Sequence, residues 1–470
     1  MRPLQRSQCP RAALVCALLA VACACMLALG APALALADDE TDEAESSTTY
    51  SADVDPDLTA TNVLLVELET NTTLYELDAD AQAYPASVTK VMTALLVLEN
   101  GNLDDEVTIE SSDFSELSSD ASLSGLSVGD TVTVRDLLAC LLVPSGNDAA
   151  YALARYVSGD WESFVELMNE RAAELGCTGT HFVNPCGLHD DDHYSTARDL
   201  LLIFEAALEY EEFCTISGSA SWDVSITSRG VTLTVYASND LVDPDDVAYY
   251  EGVYAGKTGY TGDAGRCLVV ACEVDGRTLV GVVLGCSNTY DANYTLAHIT
   301  DMATLLDWGY EAWKTEELVV AGDVVGVAAV ELSKDGDEVD VISTGSIVAT
   351  VPAETSFSDL TFDLGLTEAL VATVEEGQDL GTATVSLGDR VLGTVGIVTA
   401  AKMRLSITAF VIDWISDPVH ALIAAGVFIA LVVLLGLASS GGRRQRQARA
   451  QAHRREQERI AARSRRHMRY

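Results

Sequence analysis

Tyr84-Pro85-Ala86-Ser87-Val88-Thr89-Lys90, running into the apolar stretch Val91 to Leu98, is where the reading of this chain turns. Proline and a small residue mark a helix start, the apolar run continues it, and Gly101 stops it. Ser87 and Lys90 are three residues apart. On a helix they share one face a turn apart, close enough for an amine to take a proton from a hydroxyl. A Ser-x-x-Lys arises by chance about once or twice in a chain of this length. Its weight comes from two later motifs in fixed order, Ser145-Gly146-Asn147 and Lys257-Thr258-Gly259.

Each motif has a chemical use. A serine hydroxyl is a poor nucleophile until a base lies within hydrogen-bond reach. Lys90 can be that base only if its amine is neutral part of the time, which needs burial or a second cation nearby, and Lys257 is the candidate cation. Ser145 can relay protons between the two amines or to a leaving group, and Asn147 can hold a substrate amide without changing charge. Thr258 and Gly259 fit an edge strand beside which a peptide lies, its terminal carboxylate meeting a hydroxyl and an ammonium. Backbone N–H groups of Ser87 and of Tyr260, just beyond Gly259, would form an oxyanion hole.

Working outward, Asn62 to Glu69 and Leu74 to Leu77 predict a hairpin before the serine helix. A Ser-rich loop spans Ser111 to Ser124. Helices are expected at Arg135 to Leu142 and Asp148 to Val157, with Ser145-Gly146-Asn147 in the break between them, where function usually sits. Helical pattern resumes from Trp161 to Leu175, and Ser195 is the expected cap of a further helix. Val231 to Tyr236, Val253 to Lys257, Cys267 to Val274 and Thr278 to Leu284 read as strands, and Ile299 to Trp313 as a closing helix. Strands at both ends of a helical middle predict an α+β domain, an antiparallel sheet with a helical insertion. From Leu318 to Ile397 short Val-rich strands predict a small all-β domain that positions the first one.

The ends carry topological signals. A basic head, an apolar stretch from Ala12 to Ala31 and Ala35-Leu36-Ala37 predict a secretory signal cut after Ala37, an uncleaved anchor being the competing reading. Val419 to Leu437 has no charge and is long enough to span a bilayer. Arg443-Arg444-Gln445-Arg446 and the arginine-rich tail behind it place that tail in the cytoplasm and everything before the helix outside. The expected divisions are 1–37 signal peptide, 38–58 disordered acidic spacer, 59–314 catalytic domain, 318–403 small β domain, 418–438 transmembrane helix and 439–470 basic tail.

Composition excludes one class of partner. With 71 acidic residues against 28 basic ones, the formal charge of -43 repels nucleic acid phosphates and serves solubility. Four of the 11 cysteines, Cys9, Cys16, Cys23 and Cys25, fall in the signal, and the others show no metal-ligand spacing. A two-residue turn at Asp275-Gly276 would put Cys267 and Cys286 on one face of neighbouring strands as diagonal neighbours. That separation is large for a disulfide, so buried free thiols are expected.

The order Ser-x-x-Lys, Ser-x-Asn, Lys-Thr-Gly resembles the signature of penicillin-recognising serine acyltransferases. Pro85-Ala86-Ser87-Val88-Thr89-Lys90-Val91-Met92-Thr93, Ser145-Gly146-Asn147-Asp148-Ala149-Ala150 and Gly256-Lys257-Thr258-Gly259-Tyr260-Thr261 resemble the D-alanyl-D-alanine carboxypeptidases, the low-molecular-weight penicillin-binding proteins. So do Asn184-Pro185 with Gly187-Leu188, and His193-Tyr194-Ser195-Thr196-Ala197 with Asp199. The resemblance covers roughly Asn62 to Trp313 and, more faintly, the β domain. It implies a β-lactamase/transpeptidase-like domain followed by the β domain and a C-terminal transmembrane helix.

The resemblance also implies roles. Ser87 would be the nucleophile, Lys90 its base, Ser145 the second serine, and Lys257 and Thr258 the carboxylate contacts. The substrate would be a peptidoglycan stem peptide ending in D-Ala-D-Ala, with β-lactams as covalent inhibitors, no cofactor, and a bacterial cell membrane location with the catalytic domain outside. Two departures stand out. Cys186 occupies the Asn-Pro-x-Gly-Leu loop. Several family members have a carboxylate-supporting arginine after the strand that follows the Lys-Thr-Gly hairpin, where Ser287-Asn288-Thr289 offers none, leaving Lys257 and Thr258. The competing readings are a β-lactamase-like hydrolase, for which no deacylating glutamate motif is evident, and a catalytically inactive wall-binding module, disfavoured by three complete motifs.

Overall fold

The computed structural model describes residues 56–467 apart from Asp120 and Glu368. The expected signal peptide and most of the acidic spacer lie outside the described residues. The first hairpin forms as expected, β1 (Asn62–Glu67) with β2 (Thr72–Leu77). All six residues of β1 are buried because it is an inner strand of an antiparallel sheet in the order β2-β1-β9-β8-β7. Into the connection between β2 and β7 (Val253–Thr261) is inserted a helical body. Its helices are α1 (Lys90–Asn100), α2 (Val134–Leu142), α3 (Asn147–Ser158), α4 (Trp161–Glu174), α5 (Ala197–Leu208) and α6 (Glu211–Ser217). Two small ribbons accompany them, β3 (Glu106–Thr108) with β4 (Thr131–Thr133) and β5 (Ser221–Ile226) with β6 (Val231–Tyr236).

Strands β8 (Gly265–Val274) and β9 (Arg277–Cys286) complete the sheet, and α7 (Ala297–Ala312) follows. The period of two in the strands sorts their side chains into two cores. Leu64, Val269, Ala271, Val280 and Val282 face the helical body, whereas Val63, Leu65, Leu268, Val270 and Leu279 pack under Met302, Leu305 and Leu306 of α7. The edge strand β7 is the one that carries Lys257-Thr258-Gly259.

Several local expectations are corrected. Thr196, not Ser195, caps α5, its hydroxyl accepting the Asp199 N–H at 3.0 Å. Ser195 is held one step earlier in an extended bridge with Ala83. The closing helix ends at Ala312, and Trp313 begins a strand. The turn at Asp275-Gly276 forms with both residues at positive φ, as a tight hairpin demands. A bulge between Arg266 and Leu268 then sets Cys286 opposite Arg266. That one-residue slip places Cys267 in the helical-side core and Cys286 in the α7-side core, not on a shared face. All seven cysteines among the described residues are free thiols.

From Trp313 to Thr399 the chain is mostly β. Strand β10 (Trp313–Val319) pairs with β13 (Ile347–Pro352). Strands β11 (Val324–Glu331), β12 (Glu338–Ser343), β14 (Leu360–Leu366), β15 (Leu370–Val371), β16 (Asp379–Leu387) and β17 (Arg390–Thr399) form a sheet in the order β14-β16-β17-β12-β11-β15. Its core, from Leu318 to Met403, is a separate cluster of Val, Leu, Ile and Ala. A polar joint ties it to the first hairpin. The fully buried Glu67 carboxylate accepts from Thr350 at 2.9 Å, and Arg390 donates to Thr72 at 2.6 Å. Two helices end the described chain, α8 (Ile407–Ser416) and α9 (Pro418–His467). The segment Pro418–Gly436, with mean hydropathy 2.6, is long and apolar enough to cross a membrane, and none of it is buried within the protein.

Candidate active site

Ser87 stands not in the α-helix but in a 3₁₀ turn, Ala86–Thr89, that leads into it, and Lys90 is the first residue of α1. The expected juxtaposition survives this change, with Lys90 Nζ 2.9 Å from Ser87 Oγ. Lys90 has no exposed surface, and its amine also donates to Asn147 Oδ1 at 2.6 Å and to the Cys186 carbonyl at 2.8 Å. Both of those oxygens can only accept. A neutral amine therefore keeps its two N–H groups on them and turns its lone pair toward the Ser87 hydroxyl. Loss of hydration by burial lowers the Lys90 pKa to about 8, against the pull of Asp148 in the opposite direction. Of the two causes the sequence offered, burial or a neighbouring cation, burial is the one that lowers it.

The Cys186 carbonyl owes its place to the loop around it. Asn184 Oδ1 gathers the N–H groups of Cys186, Gly187 and Leu188 at 3.2, 2.7 and 3.1 Å. Gly187 has φ of +84°, and a Cβ there would lie 1.8 Å from the Ala86 carbonyl oxygen. The loop is therefore wedged against the serine turn. Thr93 donates to the Pro185 carbonyl at 2.6 Å, and Thr89 and His193 share a hydrogen bond of 2.8 Å. Burial holds His193 down at about 4, so the imidazole is neutral at physiological pH.

Ser145 occupies the α2–α3 break with φ of +66°, a conformation rare outside glycine. Its hydroxyl accepts from Lys257 Nζ at 2.9 Å, and Lys257 also donates to the Thr258 carbonyl at 2.7 Å. Burial pushes Lys257 well below the ordinary lysine value, and the nearby Lys90 charge pushes the same way. Ser145 thus contacts Lys257 but has no hydrogen bond to Lys90 among the described residues, so it bridges one amine rather than two. Asn147 spends its carbonyl on Lys90, leaving its amide nitrogen without a protein partner among the described residues.

Strand β7 closes the site. Gly259 abuts the serine turn so closely that a Cβ would lie 3.0 Å from Ser87 N, and only a residue without a side chain lets the strand edge approach it. Thr258 Oγ1 shares a hydrogen bond of 2.7 Å with Ser238, and Tyr260 is exposed on the rim. Ser87, Ser145, Asn147, Thr258, Gly259 and Tyr260 all line one cleft of about 790 Å³, whereas Lys90 and Lys257 lie beneath its floor. All eight residues singled out in the sequence are therefore brought together. Three were missed. The Cys186 carbonyl is a backbone group with no side-chain signal, and Arg266 and His298 reach the same cleft from elements outside the motifs.

Comparison with known proteins agrees with this geometry. Residues 47–288 match the family described as D-alanyl-D-alanine carboxypeptidase, and residues 313–404 match the penicillin-binding protein 5 C-terminal domain. The chain is 29% identical over 351 residues to D-alanyl-D-alanine carboxypeptidase DacF of Bacillus subtilis, covering 73% of this chain and 86% of that one. It is 31% identical over 340 residues to D-alanyl-D-alanine carboxypeptidase DacC of Escherichia coli, covering 70% and 80%. Among solved structures, penicillin-binding protein 5 from Haemophilus influenzae superposes with a TM-score of 0.55 at 27% identity, covering 75% of this chain and 99% of that one.

Proposed function

The chain belongs to the D-alanyl-D-alanine carboxypeptidase family of serine-type penicillin-binding proteins, and on that premise we propose that Ser87 is its nucleophile and Lys90 its general base. The observation that carries this assignment is the 2.9 Å contact between Lys90 Nζ and Ser87 Oγ, with the amine's other hydrogen bonds committed to acceptors. Neutral Lys90 takes the hydroxyl proton as Ser87 Oγ attacks the carbonyl joining the last two D-alanines of a stem peptide. The tetrahedral oxyanion is met by the N–H groups of Ser87 and Tyr260. The C–N bond then breaks, the leaving amine takes the proton that Lys90 accepted, with Ser145 and Lys257 lining its path, which returns Lys90 to its neutral form, and D-alanine departs. Water attacks the remaining ester with the same base and frees Ser87. Asn147 holds the substrate amide, while Lys257, Thr258 and Gly259 receive the peptide along the edge of β7. A β-lactam acylates Ser87 in the same way, its ring amide taking the place of the scissile bond.

The remaining divisions of the chain are proposed with this role: 59–314 as the catalytic domain, 318–403 as a spacer and positioning domain, 418–438 as a single membrane span. The arginine-rich segment 439–470 would sit in the cytoplasm by the positive-inside rule, leaving the cleft facing the wall.

The test is to incubate the protein with labelled penicillin and follow both the adduct and D-alanine release from a pentapeptide. The expected result is label on the peptide containing Ser87, together with D-alanine release. Lys90→Ala should slow acylation about 10³-fold in a protein that stays folded. Absence of an adduct on Ser87 would overturn the assignment, and rapid penicillin turnover without peptide cleavage would indicate a lactamase.

A further inference from the structure

The apolar segment Pro418–Gly436 does not end its helix. α9 continues without a break to His467, which at 1.5 Å per residue carries roughly 45 Å of helix past the apolar segment. That continuation concentrates charge of one sign. Eleven of the chain's 28 basic residues lie at 443–469, every one an arginine, with Glu456 and Glu458 the acidic residues among them. The rest of the chain holds nearly all of the 71 acidic residues, so charge changes sign across the apolar segment.

Nothing among the described residues answers this positive charge. Residues 447–461 are exposed throughout, and Arg449, Arg454, Arg455 and Arg459 form no salt bridge among the described residues. Arg455, Arg459 and Arg463 follow one another at intervals of four, a spacing at which like charges repel along a helix. Ile460 is the one large apolar residue at 443–467, so the sequence offers no apolar stripe to enter lipid and leaves charge as the means of recognition.

Position along the helix axis selects the partner. Arg443, Arg444 and Arg446 come about 10–15 Å after Gly436, at headgroup depth. On a straight helix the arginines from Arg449 onward stand farther out, past the Debye length of about 8 Å over which a surface field persists. Between the apolar segment and the first arginine lies Ser439-Ser440-Gly441-Gly442. Gly and Ser pairs are where helices bend sharply, and glycine is the weakest helix former short of proline.

We propose that residues 439–442 are a hinge at which the basic segment 443–467 turns to lie along the membrane surface, its arginines binding the phosphate groups of anionic phospholipid. This rests on the reading of 418–438 as a membrane span with 439–470 on its cytoplasmic side. Lipid is the phosphate source because the span holds the tail against the bilayer, which makes the contact intramolecular and gives headgroups a high effective concentration. Each guanidinium fork donates two parallel hydrogen bonds to one phosphate. Lying flat brings every arginine within the screening length. The distribution of the enzyme then follows the anionic lipid content of the leaflet that the tail faces, independently of the cleft.

The test is hydrogen exchange of the full-length protein in nanodiscs of phosphatidylcholine alone or with one third phosphatidylglycerol, read on peptides covering 443–467. Exchange there should slow at least about tenfold in the anionic discs, and the slowing should vanish when salt is raised from about 0.1 M to about 0.5 M. Arg454→Gln, Arg455→Gln, Arg459→Gln and Arg463→Gln together, each worth about fivefold in the bound-to-free ratio, should return exchange to the neutral-disc rate while D-alanine release stays unchanged. Gly441→Ala with Gly442→Ala should stiffen the hinge and remove protection beyond Arg454 while sparing 443–449. Equal exchange in the two kinds of disc would overturn the proposal. So would protection that survives high salt, which marks apolar insertion, or protection stripped by duplex DNA of equal total charge, which marks nucleic acid as the preferred partner. Full protection in the double-alanine variant would overturn the hinge. A wild-type protein that fails to enter discs of either composition would instead overturn the reading of 418–438 as a span.

Discussion

At the scale of single residues, the chemistry depends on withholding water from a lysine. Burial brings Lys90 from 10.5 to about 8, so about a tenth of the molecules hold it neutral at pH 7. For the proposed base the working form is the deprotonated one. The second-order rate of penicillin acylation should therefore rise about tenfold per pH unit well below 8 and level off above it, a profile read by following adduct formation at a series of pH values. A rate that is flat or falls over that range would show that another group activates Ser87. The same shift acts on stability. The unfolded chain binds the extra proton between about 8 and 10.5, so the cost of burying Lys90 is fully present below that window and is relieved as pH rises through it. The residue types were legible from the start, since spacing alone put Ser87 beside Lys90. The third partner of the amine was not, because any residue at position 186 would supply the same carbonyl.

At the scale of elements, the serine turn and the 182–188 loop act as one piece. Gly187 carries φ of +84° directly against the Ala86 carbonyl, so Gly187→Ala has no relaxed solution. It should cost about 2–4 kcal/mol in denaturant unfolding and slow acylation as well, since the displaced loop carries the Cys186 carbonyl away from Lys90. Unchanged stability would mean that the turn can move aside. Most element identities followed from periodicity, but the short β3 and α6 did not, nor did the element ends. Ser195 and Thr196 are equally good caps by residue type, and the choice falls to Thr196 because the bridge to Ala83 holds Ser195 in extended backbone. The β5–β6 ribbon was half visible, its second strand being recognisably β-rich while Ser221–Ile226 mixes polar residues into its exposed face.

At the scale of the whole molecule, the cleft lies between a helical body and a sheet edge, far along the chain from the apolar helix. A chain ending at Leu405 lacks α8 and α9 and should move from the membrane fraction to the soluble one, with kcat/KM on small soluble peptides within about twofold, since distant sites act independently. Its rate on polymerised wall should fall, because tethering raises the effective concentration of enzyme at its substrate. Retention of the truncated chain on membranes would show that another surface anchors it. The Glu67 joint contributes to positioning. Glu67 and Thr350 are 283 residues apart in sequence and in direct contact, so the β domain is docked on the end of β1, an inner strand of the central sheet, rather than hung from a free linker.

What could be read from the sequence alone was the serine and lysine proposed as nucleophile and base, the order of the three motifs, the α+β and all-β halves, and the apolar helix with its basic flank. Each is a matter of spacing or composition within a short stretch, which the local geometry of helices, strands and bilayers converts directly into structure. Only the tertiary structure decided which groups complete the cleft. Arg266 and His298 arrive there through the pairing of β7 with β8 and the packing of α7 on the sheet. The bulge that parts Cys267 from Cys286 is likewise a property of strand register. Register is fixed by contacts between residues distant in the chain, and a one-residue slip exchanges the two faces of a sheet, so no local pattern could have assigned Arg266 to the side of the strand that lines the cleft.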